Sequence, residues 1–269
     1  LGDACDNCVA VANVDQRDDD YYGRGNLCDA CTYGTLVNDG AVELGVNCDG
    51  TLGTPLFDPE MGWFSRVATM TDLRGSGEAV GTQYYSDKWG VTDRLTAAFE
   101  YRSPSWCVPA GETEYVADGR AARSVVDTLL GLRVAHAFQP VDGDPGVYAC
   151  DVTLENTGAT TLHPVYRRSF LWEFNGRYSY ATLFPGDSDM IVGAGFEPWI
   201  YPAPLQGDGG AIGEGVDLFD FWQGAYYDLD VGELAPGASE TFTLYFGVAP
   251  SEAAADTALA TAGVEAYAY

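Results

Sequence analysis

The sequence predicts a mainly β protein, an antiparallel β-sandwich with a short C-terminal helix, preceded by a small loop-rich module. From residue 61 onward, short runs rich in Val, Thr, Tyr and Phe alternate with clusters of Gly, Asp and Pro, which is the pattern of strands and turns. One helical pattern lies near the C-terminus, and four of the seven cysteines fall within the first 31 residues. We therefore divide the chain into a module over 1–50, a linker over 51–60 and a sandwich domain over 61–269.

Local signals support each element in turn. Pro55 and Pro59 exclude a continuous helix in the linker. Ser251 can cap the helical stretch EAAADTALATA, and Gly263 can end it. Many strands with one short terminal helix indicate a sandwich. The predicted strands are Phe64–Met70, Gly81–Ser86, Leu95–Arg102, Thr113–Ala117, Val125–Gln139, Tyr148–Asn156, Val165–Phe174, Tyr178–Leu183 and Glu240–Val248.

Charge and cysteine content limit the function classes. The 269 residues carry 13 basic and 40 acidic side chains, a net charge of −27, with Lys88 as the single lysine. Such a polyanion is repelled by nucleic acid and by anionic membranes, and no 18-residue apolar run predicts membrane insertion. Seven cysteines fit an oxidising compartment, so we expect a secreted or cell-surface protein. The chain starts inside a motif, and we expect it to be a piece of a longer protein.

The opening stretch offers ligands to two different metal ions. Cys5-x-x-Cys8 and Cys28-x-x-Cys31 have the spacing of a four-thiolate zinc site. Hard oxygen ligands are interleaved with them, in the alternation of a calcium loop that starts at Asp18 and has a turn glycine at position 6. We favour Ca²⁺ over zinc, and a disordered acidic leader is the third interpretation. Loop positions 1, 3, 5, 7, 9 and 12 are Asp18, Asp20, Tyr22, Arg24, Asn26 and Asp29.

A phenol is a poor Ca²⁺ ligand, so at Tyr22 the backbone carbonyl or a water would have to serve. The whole stretch resembles the calcium-binding type 3 repeat of thrombospondins, which also occurs in bacterial surface proteins. The resemblance implies that Asp3 and Asp6 are positions 9 and 12 of an upstream loop, and that Cys8 and Cys28 form a disulfide. The residues that carry it are Gly2, Asp3, Cys5, Asp6, Asn7, Cys8, Val11, Asn13, Asp15, Gln16, Asp18, Asp20, Gly23, Gly25, Cys28 and Asp29.

Two further stretches resemble known families. Residues 37–50, VNDGAVELGVNCDG, are similar to the start of cysteine-rich repeats in myxobacterial surface proteins. Cys31 and Cys48 would bracket that repeat and are paired in our prediction; Cys107 and Cys150 are the second predicted pair, and Cys5 is left for a partner upstream. Residues 152–173 and 232–255 resemble a bacterial secreted β-sandwich domain, but Leu171 and Glu173 replace two aspartates of its pattern. The pairing itself cannot be derived from sequence.

No catalytic residues are predicted, because the chain contains no nucleophile, zinc-protease, phosphate-loop or dinucleotide motif. His136 and His163 lack a partner at metal-ligand spacing, so we expect His136 to be a packed or a surface residue without a functional role. The pairs Asp187/Asp189 and Asp228/Asp230 would each share a strand face, and two carboxylates could hydrolyse a glycoside, although chance explains such pairs in so acidic a chain. A second calcium site would use Asp217, Asp220, Asp228 and Asp230.

Aromatic residues are dense between positions 196 and 227, and exposed rings there could stack on a sugar or fill an interface. We favour burial of these rings in the core over either of those roles. The candidate ligand or interface aromatics are Trp199, Tyr201, Trp222 and Tyr226.

From these observations we expect a non-enzymatic, extracellular, calcium-binding structural or adhesion protein. Its partner would be another protein or a second copy of itself, as in a surface filament. The alternative is a secreted sandwich that binds or, with less support, cleaves carbohydrate through the 196–227 aromatics; a glycan would then be the partner.

Overall fold

The computed structural model describes residues 34–58, 63–68, 70–74, 79–80, 87–102, 112–143, 146–172, 179–182, 190–195, 223–249 and 251–264. These residues are mainly β with one helix, as predicted, and the strands pair antiparallel. The strands are β1 Thr35–Asn38, β2 Val42–Val46, β3 Thr54–Asp58, β4 Trp63–Ala68, β5 Met70–Asp72, β6 Ala79–Val80, β7 Asp87–Asp93, β8 Phe99–Arg102, β9 Glu112–Ala117, β10 Ala122–Asp127, β11 Leu132–Pro140, β12 Val147–Asn156, β13 Pro164–Trp172, β14 Ser179–Thr182, β15 Ile191–Gly195, β16 Gln223–Asp230 and β17 Ser239–Val248. The helix α1 is Glu252–Ala262.

Two large sheets pack face to face and form the sandwich. The first has the strand order β14-β17-β12-β11-β10-β9, and the second has the order β15-β16-β13-β7-β8. Along β11 every second side chain is buried, which is the alternation of a strand with one face on a core. Rings from the two sheets meet there: Tyr166 of β13 lies 5.3 Å from Phe242 of β17, and Trp89 of β7 lies 5.1 Å from His136 of β11 (ring centroids).

The first described residues belong to this same core. β1 and β2 form a sheet with β5 and β6, in the order β1-β2-β5-β6. Val37, Val42, Leu44 and Val46 are fully buried and join one hydrophobic cluster with the sandwich residues. The predicted domain boundary at residue 50 is therefore wrong for residues 35–50, because their apolar side chains need the sandwich to cover them.

The predicted linker is also partly strand. β3 pairs with β4 in a two-stranded sheet, and Pro55 sits within β3 opposite Val67. A two-stranded sheet consists of edge strands only, where a missing N–H can point away from the partner.

The single strand predicted over Val125–Gln139 is instead the hairpin β10–β11. A turn at Thr128–Gly131 divides it, and Gly131 takes a left-handed φ of 76° there. The predicted helix is confirmed with both ends: the Ser251 side chain accepts the Ala254 N–H, and Gly263 ends the helix at φ 72°. In the part of the chain that the structure describes, no helix is long and apolar enough to cross a membrane.

Candidate functional site

An ion pair lies in the interior of the sandwich. The Asp87 carboxylate on β7 accepts hydrogen bonds from Nε and Nη2 of Arg168 on β13, and both side chains are completely buried. The Arg168 Nη1 also donates to the Tyr166 hydroxyl at 3.3 Å. Two charges removed from water in this way are destabilising unless every remaining donor and acceptor is satisfied.

A short loop, residues 47–53, completes the hydrogen bonding of this pair; we call it the docked loop. Its Gly50 carbonyl accepts a hydrogen bond from Arg168 Nη2 at 3.0 Å, and its Leu52 N–H donates to Asp87 Oδ2. The Asp49 carbonyl accepts the Trp89 indole N–H at 2.8 Å. Backbone groups of the docked loop thus serve as hydrogen-bond partners of the buried Asp87 and Arg168 side chains.

Side chains inside the docked loop hold its shape. Asp49 is buried, and its carboxylate accepts both the backbone N–H and the hydroxyl of Thr51, at 2.9 and 2.6 Å. The Asn47 carbonyl accepts the Gly50 N–H at 2.9 Å, which closes the turn. The motif Asn-Cys-Asp-Gly at residues 47–50 therefore encodes a tight loop with a buried carboxylate.

Gly50 is the point where the docked loop touches the opposite sheet. A Cβ at this position would lie 2.4 Å from Nδ1 of His136 and 2.6 Å from Oγ of Ser124, and the φ of +80° is itself one that side chains rarely adopt. Both of those buried polar atoms face the glycine without a hydrogen-bond partner among the described residues. The site therefore requires glycine for two separate reasons.

Burial controls the ionisation of this centre. It raises the pKa of Asp87 to about 6, against the opposing effects of the Arg168 guanidinium and the Leu52 N–H, so the carboxylate is ionised at neutral pH. Burial, and then the nearby Arg168 charge, hold the pKa of His136 well below its usual range. His136 is therefore neutral, and its Nε2 pairs with the Tyr166 hydroxyl at 2.9 Å. Of the two alternatives expected for His136, a packed or a surface residue, the structure shows the packed one.

A second set of ionic contacts lies on the same five-stranded sheet. Arg167 holds Asp228 through two hydrogen bonds of 2.6 and 2.8 Å, and its guanidinium lies 4.0 Å from the centre of the Tyr226 ring. Asp230 contacts His163 at 2.8 Å and Arg94 at 3.2 Å. Each acid of the predicted pair thus has a cationic or histidine partner, an arrangement that disfavours a second calcium site at these two residues.

Most of the predicted site residues lie outside the described residues, so those predictions stay predictions. Among the residues that the structure does describe, no group of three or more His, Cys, Asp or Glu is placed to hold a metal ion. Outside the described ranges are the calcium-loop residues Asp3, Asp6, Asp18, Asp20, Tyr22, Arg24, Asn26 and Asp29, the aromatics Trp199, Tyr201 and Trp222, and the acids Asp187, Asp189, Asp217 and Asp220.

Tyr226 is a correction. It was predicted as an exposed ligand or interface aromatic, but only 4% of it is exposed, and it packs under Arg167. The alternation of β16 places it on the same face as Asp228, where the ring fills space beside the ion pair and cannot stack on a sugar.

The two cysteines in the described ranges behave differently. Cys48, in the docked loop, forms a disulfide whose partner lies outside the described residues; its pairing with Cys31 stays a prediction. Cys150 is a free, buried thiol, so the predicted Cys107–Cys150 disulfide is wrong. The period of β12 turns Cys150 into the core between Phe138 and Leu244, and burial raises the pKa of its thiol.

The buried ionic centre was not predicted from the sequence, although two signals for it exist. Arg167 and Arg168 are adjacent in an otherwise apolar strand, VYRRSFLW, so one of them must face the core and needs a buried carboxylate. The second signal is the glycine that follows the buried Asp49. Neither signal identifies Asp87 as the partner.

No protein-family model matches the chain, and the curated proteins include no match to it.

Proposed function

We propose that the protein is a non-enzymatic, extracellular structural or adhesion protein, in which an acidic N-terminal stretch binds Ca²⁺ and the β-sandwich forms a rigid body behind it. One observation carries the proposal: the docked loop, with its disulfide-bonded Cys48, is built into the ionic centre of the sandwich. The segment that follows the acidic stretch is thus part of the core and not a flexible connection.

The attachment begins at the first described strand. The Thr35 N–H donates to the Tyr115 hydroxyl at 3.0 Å, and that hydroxyl donates to the Val46 carbonyl at 3.0 Å. The Asn38 N–H donates to the Gly119 carbonyl at 3.0 Å, so the first residue of β1 is fixed to β9 and the last to the turn that follows β9. Any stiffening of residues 1–33 by a bound ion would be transmitted directly to the sandwich.

Bound Ca²⁺ would supply the positive charge that this acidic composition lacks. With a net charge of −27, clustered carboxylates repel one another, and a divalent cation bound among them removes that repulsion while ordering a segment that has little apolar core. The Cys48 disulfide supports an oxidising, extracellular location. In this mechanism Ca²⁺ has a mechanical role, and no bond of a substrate is broken.

Calorimetric titration of the full chain with CaCl₂ tests the proposal. The Asp18→Asn/Asp20→Asn variant should lose the binding heat, whereas Asp142→Asn, an acid on the exposed β11–β12 turn, should bind like the wild type. Protease cleavage within residues 1–33 should become faster after chelation with EDTA while the sandwich stays intact. The proposal fails if the wild type shows no saturable Ca²⁺ binding, or if the double variant binds unchanged.

A further inference from the structure

The outer strand of the five-stranded sheet presents an unusual edge. β8 pairs with β7, with Tyr101 opposite Gly90 and Arg102 opposite Trp89, and it has no second neighbour among the described strands. Phe99 is 47% exposed and Tyr101 is 44% exposed, both on the face of β8 that points away from the core. An edge strand with exposed apolar side chains is a ready surface for pairing with another strand.

The edge of the other large sheet is protected, which makes the contrast informative. On β9, Glu114 lies on the same face as Val116, so a strand added there would meet a carboxylate beside its apolar contact. The end of β9 is also covered by β1 through Thr35 and Asn38. No described strand covers β8 in this way.

The sequence of β8, Phe-Glu-Tyr-Arg, is self-complementary in one antiparallel register. Directly opposite residues of two paired strands face the same side, so a two-fold axis must lie midway between one residue and the same residue of the second copy; we describe that residue as being on the axis. With Tyr101 on the axis, Tyr101 meets Tyr101 of the second copy, and Glu100 lies opposite Arg102 in both directions. With Glu100 on the axis, Glu100 would face its own copy, and like charges directly opposite each other are destabilising.

The charges of β8 are also incompletely satisfied within one chain. Arg102 Nη2 contacts Glu100 Oε1 at 2.5 Å, and both side chains are largely buried. The buried Nε–H of Arg102 has no acceptor among the described residues. In the Tyr101 register, Glu100 of the second copy lies directly opposite Arg102, so the four side chains together carry no net charge.

We propose that this edge is where two copies of the chain associate, β8 against β8 in antiparallel pairing with Tyr101 on the two-fold axis. The inference rests on the proposed function because it names a second copy of the chain as the partner of a structural protein. The contact itself uses only residues 99–102 and needs no calcium. Because each copy carries a charge of −27, association should strengthen as salt screens the repulsion.

Sedimentation equilibrium of the full chain over a concentration series, at low and high NaCl, tests this. The wild type should form a dimer, and Tyr101→Lys should weaken it by about tenfold or more, because two lysines then face each other. Val116→Lys on β9, a residue 57% exposed, is the matched control and should dimerise like the wild type. A wild type that stays monomeric at high salt, or a Tyr101→Lys dimer of unchanged affinity, overturns the proposal.

A second variant tests the same contact in case Tyr101→Lys fails to fold. Tyr101→Cys places two thiols on the axis at a cross-strand separation that suits a disulfide, so mild oxidation should give a covalent dimer. Val116→Cys should give none, and equal dimer yields from both variants would contradict the β8 contact. Repeating the sedimentation in EDTA separates the two proposals: a dimer that persists without Ca²⁺ supports the β8 edge even if calcium binding fails, and a dimer lost in EDTA overturns it.

Discussion

Gly50→Ala is the substitution that tests the docked loop most directly. The alanine Cβ would lie 2.4 Å from His136 Nδ1 and 2.6 Å from Ser124 Oγ, closer than real Cβ contacts come. Neither neighbour can withdraw easily, because His136 is anchored by the Tyr166 hydroxyl and both side chains are completely buried. The loop must therefore move away from Asp87 and Arg168, or the sheet must yield.

The expected loss has two components. A side chain held in the left-handed region is destabilising by about 1–2 kcal/mol relative to glycine. Overpacking of a filled interior adds about 1–3 kcal/mol. Together they predict that Gly50→Ala lowers the free energy of unfolding by about 2–5 kcal/mol, a large part of the stability of a typical domain.

Gly119→Ala separates the two components. Gly119 has almost the same backbone conformation, with φ +87°, but a Cβ there would meet nothing within 4 Å. Urea denaturation of both variants should therefore show a loss of about 1–2 kcal/mol for Gly119→Ala and clearly more for Gly50→Ala. Equal losses would refute the steric argument, since only the backbone term would then be acting at Gly50.

Three further predictions follow from the buried centre. Asp87→Ala should lower the free energy of unfolding by about 3–5 kcal/mol in urea because it leaves the Arg168 charge buried without its carboxylate partner. Asp127 pairs with Arg133 at 2.8 Å on the partly exposed side of the first sheet, and Asp127→Ala should cost at most about 1 kcal/mol; similar losses for the two variants would contradict the reasoning. The pKa of His136 is lowered in the folded state, so below pH 6.5 only the unfolded chain takes up its proton, and wild-type stability should fall relative to His136→Gln by up to about 1.4 kcal/mol per pH unit; parallel pH curves for the two proteins would refute it. A chain that begins at residue 54 should show no folded structure by circular dichroism, because it lacks five buried side chains that together contribute about 8–15 kcal/mol, namely Val37, Val42, Leu44, Val46 and Leu52. A chain that begins at residue 34 and carries Cys48→Ser should unfold cooperatively. A folded 54–269 chain would restore the boundary at residue 50.

Much of the strand content is predictable because one face of each strand meets the core. Buried and less buried side chains alternate from Cys150 to Asn156 in β12 and from Phe242 to Phe246 in β17, and α1 carries its own start signal at Ser251 and stop signal at Gly263. The same period was present in Val42-x-Leu44-x-Val46, but a segment rich in glycine, aspartate and cysteine resembles a stapled loop by composition. Only the position of β2 beside β5 shows what those three side chains pack against.

The ionic centre lies beyond what local patterns can show. Asp87, Arg168 and Gly50 are far apart in the sequence, and their meeting depends on strand registers and on the docked loop, between β2 and β3, entering between two sheets. The burial of Cys150 could not be predicted for the same reason. The cysteine count predicts pairing, but the face of β12 on which Cys150 lies decides whether a partner can reach the thiol.

The role of the ion pair follows from comparing what it contributes with what an apolar pair would contribute. A buried pair rarely adds net stability over well-packed hydrophobic residues, so its presence needs another reason. Here the pair offers one acceptor to the Leu52 N–H and one donor to the Gly50 carbonyl, two residues apart along the loop. A shift of the loop by one residue would leave Asp87 and Arg168 without these hydrogen-bond partners. It would also place a side chain at the Gly50 position, where it would collide with His136. The pair therefore fixes the register of the docked loop, and with it the position at which the acidic stretch joins the sandwich.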